Sequence, residues 1–176
     1  MESKEQYQNK WLIMAAIGSG ILLATIDGSI VNITLPTLIQ TFDTTFPVVQ
    51  WVVLSYLLVI TTLILGMGRL GDILGKKSVH RLGLILFTIG SMLCGLAPSV
   101  YALIAFRALQ AIGASMTMAM GVAIITESFP REERGKALGI AGAIVSAGII
   151  TGPVIGGLIL GALSWRWIFY VNVPVG

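Results

Sequence analysis

Asp27 and Arg107 have the strongest claim to chemistry in this chain, because each is a charge set inside a long apolar run. Asp27 sits in ILLATIDGSIVNITLP, about 16 residues past Trp11 and so roughly 24 Å along a helix. Arg107 lies about seven residues, or roughly 10 Å, into an apolar run that opens near Val100. A carboxylate at such depth is expensive and has two readings. Either it faces an aqueous cavity and exchanges an ion or meets a substrate, or it makes a structural hydrogen bond between helices. An arginine is long enough to bridge the roughly 6 Å difference in depth between the two, so the spacing permits a direct pair. Gln110 falls one turn along the same helical face as Arg107. Asn32 adds a polar group near the far end of the Asp27 run, to cap, cross-bond or line a cavity.

Other reactive residue types are scarce. His80 is the one histidine, and no acidic cluster with ligand spacing accompanies it, so no metal site is expected. Cys94 is alone and lies mid-run, where it reads as a small buried hydrophobe. Trp51, Tyr56, Met116 and Met120 either touch an apolar ligand or pack in the core. Glu127, beside Arg131, Glu132, Glu133 and Arg134, reads as a wetted interface, with a coupling role as the other reading. Asn32-Ile33-Thr34 matches a glycosylation pattern but falls within or at the end of an apolar run, where a glycan does not fit.

The elements that must position these residues follow from composition. The chain is 56% hydrophobic and 11% charged, against roughly 25% charged in soluble domains. Too few polar side chains remain to cover a soluble surface, so an all-α, polytopic membrane protein is expected. A membrane helix needs roughly 20 apolar residues. The pattern predicts five complete spans across residues 11–163: Trp11 to Leu35, Val48 to Gly68, Leu82 to Leu96, Val100 to Thr126 and Ala137 to Leu163. A sixth is expected to open near Trp165 and to be cut off at Gly176.

Loop charges set the expected orientation. Arg69, Lys76, Lys77 and Arg81 lie between spans two and three, and Arg131, Arg134 and Lys136 between spans four and five. The intervening loops, TFDTTFP and the one around Pro98 and Ser99, carry no lysine or arginine. The positive-inside rule therefore predicts a cytoplasmic N-terminus, residues 1–10, in a multi-pass protein of the cell membrane. The net charge of +3 comes from short basic clusters between apolar runs, which is a membrane-loop pattern and not a nucleic-acid surface.

Four stretches carry a family resemblance. GRLGDILGKK at 68–77 is similar to the signature between helices two and three of major facilitator superfamily transporters, at Gly68, Leu70, Gly71, Asp72, Gly75, Lys76 and Lys77. Ile73 stands where that signature commonly has a base. IDGSIVNITLP resembles the first-helix signature of the 14-helix drug:proton antiporter branch at Asp27, Asn32 and Pro36. RALQAIGAS resembles the fourth-helix signature at Arg107, Gln110 and Gly113, with Ala111 in place of a usual glycine. GIITGPVIGG resembles the antiporter signature of helix five at Gly148, Gly152, Pro153, Gly156 and Gly157, and WRWIFYVNVPVG the opening of helix six.

The glycines at 148, 152 and 156 share one helical face, and small residues let membrane helices approach closely. Pro153 removes one helical hydrogen bond and bends the segment. The resemblance implies a partial N-terminal half of a major facilitator-type bundle. It implies that helix five packs against its counterpart in the other half, and that the 68–77 loop holds an inner gate. It further implies proton-coupled efflux of lipophilic compounds, cations included, by alternating access. Asp27, Asn32, Arg107 and Gln110 would then serve proton coupling or the cavity. No cofactor is expected, the proton being the coupling ion; the partners are the bilayer, the small substrate and the remaining helices. Two other readings stand: a truncated membrane assembly or interaction protein without transport, and a facilitator without proton coupling.

Overall fold

The computed structural model describes residues 9–174, so most of the N-terminal segment and Gly176 lie outside the described residues. The described residues form helices and no strand. The first span is α1 (Lys10–Ile30), a 3-10 turn (Val31–Thr34) and α2 (Leu35–Phe42). Spans two to five are α3 (Phe46–Leu74), α4 (Lys76–Gly95), α5 (Val100–Ser128) and α6 (Arg134–Ala162), and α7 (Trp167–Tyr170) opens the final segment. Among the described residues, five helical segments are long and apolar enough to cross a membrane.

Local chemistry explains where the helices start and break. Pro36, in the first turn of α2, cannot donate a backbone hydrogen bond, and its ring crowds the carbonyl four residues earlier. The first span accordingly tightens to a 3-10 turn at Val31–Thr34. Asp43, at φ 45, closes α2 in the left-handed conformation. The Ser99 side chain accepts the Ala102 N–H at 3.3 Å and caps α5.

Several boundaries differ from the expected ones. α3 runs on to Leu74 and α4 begins at Lys76, so the expected 68–77 loop is helical except at Gly75. Charges end a hydropathy run, but a helix keeps its backbone bonded and continues into water. At 29 residues, α3 is roughly 43 Å long, against a hydrocarbon layer of about 30 Å. The expected sixth helix is a single turn, Trp167–Tyr170, followed by turns to residue 174.

Apolar packing occurs in three tiers. Leu38, Val49, Leu103, Ala97 and Phe169 belong to the cluster at the Asp43 end. Met14, Val79, Met120, Ile125 and Phe129 belong to the one at the Lys76 end. Leu23, Ala24, Tyr56, Phe87, Ala111 and Ala114 form a small cluster between them, at the level of Asp27.

Two helix crossings bring backbones into contact. α4 meets α5 through Gly83, Gly90 and Gly113: a Cβ on Gly90 would lie 2.6 Å from Gln110 Cα, and one on Gly83 would lie 2.9 Å from the Gly113 carbonyl oxygen. α1 meets α6 through Gly148, Gly152 and Gly156, treated below. α5 is the central helix, 61% buried over its most apolar stretch, whereas α6 is 17% buried and turns Ile149, Ile150, Val154 and Leu158 outward.

Candidate functional site

The middle tier contains a buried polar network, in which Arg107 Nη2 and Asn172 Oδ1 are left without a hydrogen-bond partner. Arg107 Nη1 donates to Asp27 Oδ2 at 2.5 Å, and both side chains are fully buried. Gln110 Nε2 donates to Asp27 Oδ1 at 3.0 Å, and Gln110 Oε1 accepts from Arg107 Nη1 at 2.8 Å. Asn172 Nδ2, from the segment after α7, donates to Asp27 Oδ1 at 2.6 Å and to Ser91 Oγ at 2.9 Å. Ser91 Oγ in turn donates to the Phe169 carbonyl at 2.8 Å, which ties that segment to α4. Asp27 therefore receives three donors from two elements distant in sequence.

Arg107 is held on other sides as well. Its Nε donates to the Val52 carbonyl of α3 at 3.3 Å. Its Cζ lies 3.9 Å from the centre of the Tyr56 ring and 5.8 Å from that of Phe169, so the guanidinium is stacked against aromatic faces in a dry setting. Tyr56 itself donates its hydroxyl to the Ala24 carbonyl of α1 at 3.1 Å. Such a buried, hydrogen-bonded pair adds little net stability, but removing one partner strands the other charge at a cost of about 3–5 kcal/mol.

The structure thus brings together Asp27, Arg107 and Gln110. Of the two readings left open for Asp27, a cavity-facing carboxylate or one bonded between helices, the geometry here has the bonded form: all three side chains are at 0% exposure, behind Tyr56 and the Asn172 segment. Asn32 stands apart: it is exposed, donates to the Ser29 carbonyl at 3.2 Å and borders a cleft of about 400 Å³. Gly28, Tyr56, Ile60, Met118 and Ile149 also wall that cleft. Of the four candidate apolar contacts, Tyr56 alone reaches it; Met116 and Met120 are core, and Trp51 is half exposed.

Gly148, Gly152 and Gly156 are buried against the first span. The four-residue repeat on α6 matches a repeat of Thr25 and Ser29 on α1 and Ile33 in the 3-10 turn that follows it, and Ser29 Oγ donates to the Gly148 carbonyl at 3.1 Å. A Cβ on Gly152 would overlap Ser29 Oγ and lie 3.1 Å from the Ile26 carbonyl oxygen. Gly157 is exposed, with ordinary contact to Ile33, and Pro153 is half-buried.

At the Lys76 end, Lys76 pairs with Glu127 of α5 and lies 4.0 Å from Asp72. Glu127, expected at a wetted interface, thereby bonds α5 to the start of α4. Gly75 has φ 88 and ψ 128, a conformation that glycine alone adopts readily. Gly71 faces Met120, whose sulfur a Cβ there would overlap, while Gly68 has open space and Lys77 is exposed. A larger cleft, about 830 Å³, lies beside Lys76, His80, Arg81 and Glu127, and Asp27 is not among its walls.

Sequence reasoning gave no role to Asn172, Ser91 or the Tyr56 stack. Asn172 carried the same signal as Asp27, a polar side chain in an apolar stretch.

Residues 17–176 match the model of the Major Facilitator Superfamily, and the chain belongs to that family of multi-pass membrane transporters. It is 44% identical to the riboflavin transporter RibZ of Clostridioides difficile strain 630, over 96% of this chain and 37% of that protein. It is 39% identical to the multidrug resistance protein Stp of Mycobacterium tuberculosis, over 94% of this chain and 31% of that protein. With the multidrug transporter MdtP of Bacillus subtilis the identity is 37%, over 99% and 32%. The chain spans about a third of the length of these relatives. The fold matches a crystal structure of a bacterial homologue of the human lysosomal transporter Spinster, in an inward-facing, occupied conformation. The TM-score is 0.80 at 23% identity, covering 96% of this chain and 41% of that one.

Proposed function

We propose that this chain is the N-terminal portion of a 14-helix drug:proton antiporter that exports lipophilic compounds, cations included, with its N-terminus in the cytoplasm. The observation that carries the proposal is the Asp27–Arg107 pair, fully buried, with Tyr56 between it and a mostly apolar cleft. A carboxylate whose charged form is held by three donors changes its partners when it takes a proton. Protonation removes the charge that Arg107 balances, so the network must rearrange. The cleft walls suit an apolar ligand, with Thr25, Ser29 and Asn32 as the few polar groups at its edge. Relatives named for multidrug resistance support the substrate class. No cofactor enters the scheme; the proton is the coupling ion and the remaining helices complete the path.

A second reading has riboflavin as the cargo, favoured by 44% identity to a protein named for carrying it. One experiment tests both. The full-length transporter in proteoliposomes, with an imposed pH gradient, is offered ethidium or riboflavin. Gradient-driven ethidium movement that disappears in Asp27→Asn supports the antiporter. Gradient-driven riboflavin movement with no ethidium movement supports the second reading. Movement of either compound at a rate indifferent to the gradient overturns proton coupling.

A further inference from the structure

We infer that Tyr56 is the coupling residue between the cleft and the ion pair, a removable cover that keeps water from Asp27 until cargo is bound. The inference rests on the proton-coupled reading above and deepens it. Tyr56 borders the cleft, yet the residue is only 1% exposed. Its ring face covers the Arg107 guanidinium at 3.9 Å, and its hydroxyl is tied to the Ala24 carbonyl at 3.1 Å. α1 makes room for the ring by placing small residues on either side of Asp27: a Cβ on Gly28 would lie 3.4 Å from Tyr56 Cε1, and Ala24 packs in the same cluster. Tyr56 thus bridges α3 to α1 at the level of the pair.

A lipophilic cation in the cleft competes with Arg107 for the electron-rich ring, and any bulky cargo presses on the same side chain. When the ring leaves Arg107, water reaches the pair. In the protonated carrier the Asp27 proton passes to that water as hydronium and Arg107 Nη1 takes up the freed carboxylate, so the proton leaves as cargo arrives, and Arg107 keeps its own charge throughout. The groups that titrate or carry charge around Asp27, among the described residues, are Arg107 from α5, Cys94 from α4 and Tyr56 itself. α6 and the Asn172 segment contribute none.

The test uses the full-length protein in proteoliposomes with a pH-sensitive dye inside and ethidium as cargo. Proton entry without cargo and the ratio of protons to ethidium moved are recorded across pH. Tyr56→Leu and Tyr56→Met, which fill space without a π face, are expected to raise cargo-independent proton entry roughly tenfold to thirtyfold, the scale of a lost desolvated cation–π contact. They also lower the coupling ratio and flatten its pH profile. Tyr56→Phe keeps the ring and restores wild-type behaviour. Adding Asp27→Asn to Tyr56→Leu removes the extra proton entry. Wild-type proton entry and coupling in both the leucine and methionine variants overturn the inference, as does a phenylalanine variant that leaks like leucine. So does a leak that persists in the double variant. If Asp27→Asn alone retains gradient-driven transport, the antiport reading itself fails, a result separate from any Tyr56 outcome.

Discussion

Arg107 Nη1 and Asp27 Oδ2 meet at 2.5 Å across 80 positions of sequence, and neither residue touches solvent. Asp27→Asn keeps the shape but leaves Arg107 without its counter-charge. The expected cost is about 3–5 kcal/mol, visible as a lower melting temperature of the detergent-solubilised protein. Gradient-driven transport at matched membrane expression is expected to fall to background. Arg107→Lys retains a charge but loses the planar fork that meets Asp27, Gln110 and the Val52 carbonyl at once, and should restore transport only in part. Full gradient-driven activity in Asp27→Asn would mark the pair as structural.

The α1–α6 contact gives a graded test. Gly152→Leu forces a side chain into Ser29 and toward the Ile26 carbonyl, which is backbone and cannot swing aside. Overpacking of this kind costs about 1–3 kcal/mol. Gly161→Leu is the matched control, because a Cβ there meets nothing within 4 Å. Thermal unfolding of the two variants should separate clearly; equal melting temperatures would count against a backbone-close interface at Gly152.

Gly75 is the one-residue joint between α3 and α4. An alanine there must adopt φ 88 and ψ 128, a strained conformation costing about 1–3 kcal/mol. Gly68→Ala, three residues short of Gly71 in a helical and open position, relieves backbone freedom without strain and should be neutral or mildly stabilising. Opposite melting shifts for these two alanines would distinguish a conformational role of Gly75 from a packing role.

Much of this architecture was legible in the sequence, for reasons specific to membranes. Apolar length alone gives the spans, because a helix in hydrocarbon must satisfy its own backbone. Asp27 and Arg107 announce themselves through the cost of their burial. The partners of the glycine stripe were not legible: Gly148, Gly152 and Gly156 say that something approaches closely, and only the structure places Thr25, Ser29 and Ile33 there. Helix ends were also hidden, since charges at Arg69 and Asp72 look like a loop to hydropathy but sit on the helix that runs on to Leu74. Tyr56 resembled any aromatic in an apolar run; its stack on Arg107 depends on the α3–α5 crossing.

The basic clusters predict an orientation that labelling checks. Lys77 and Lys136 are both exposed at the Lys76 end. Cysteines at these positions, with Cys94 replaced, should resist an impermeant thiol reagent outside intact cells and react after permeabilisation. Labelling of both sites in intact cells would invert the proposed topology.

Asn172 offers the most discriminating variant, because it joins a segment far along the chain to the pair without carrying charge. Its amide donates to Asp27 Oδ1 at 2.6 Å and to Ser91 Oγ at 2.9 Å. Asn172→Ala removes one of the three donors on Asp27 but leaves Arg107 and Gln110 in place. Stability should fall by about 1–3 kcal/mol, the cost of a buried acceptor losing a partner. Asn172→Asp is harsher: it sets a second carboxylate where the amide now lies 2.6 Å from Asp27 Oδ1, and two adjacent carboxylates resist being ionised together. Transport in Asn172→Asp should therefore acquire a pH dependence that Asn172→Ala lacks, with activity improving as the pH falls and one of the two carboxyls holds a proton. The measurement is ethidium transport by the full-length protein from mildly acidic to mildly alkaline pH, with both variants at matched expression. Parallel pH profiles for alanine and aspartate would mean that residue 172 does not share a site with Asp27 in the working transporter.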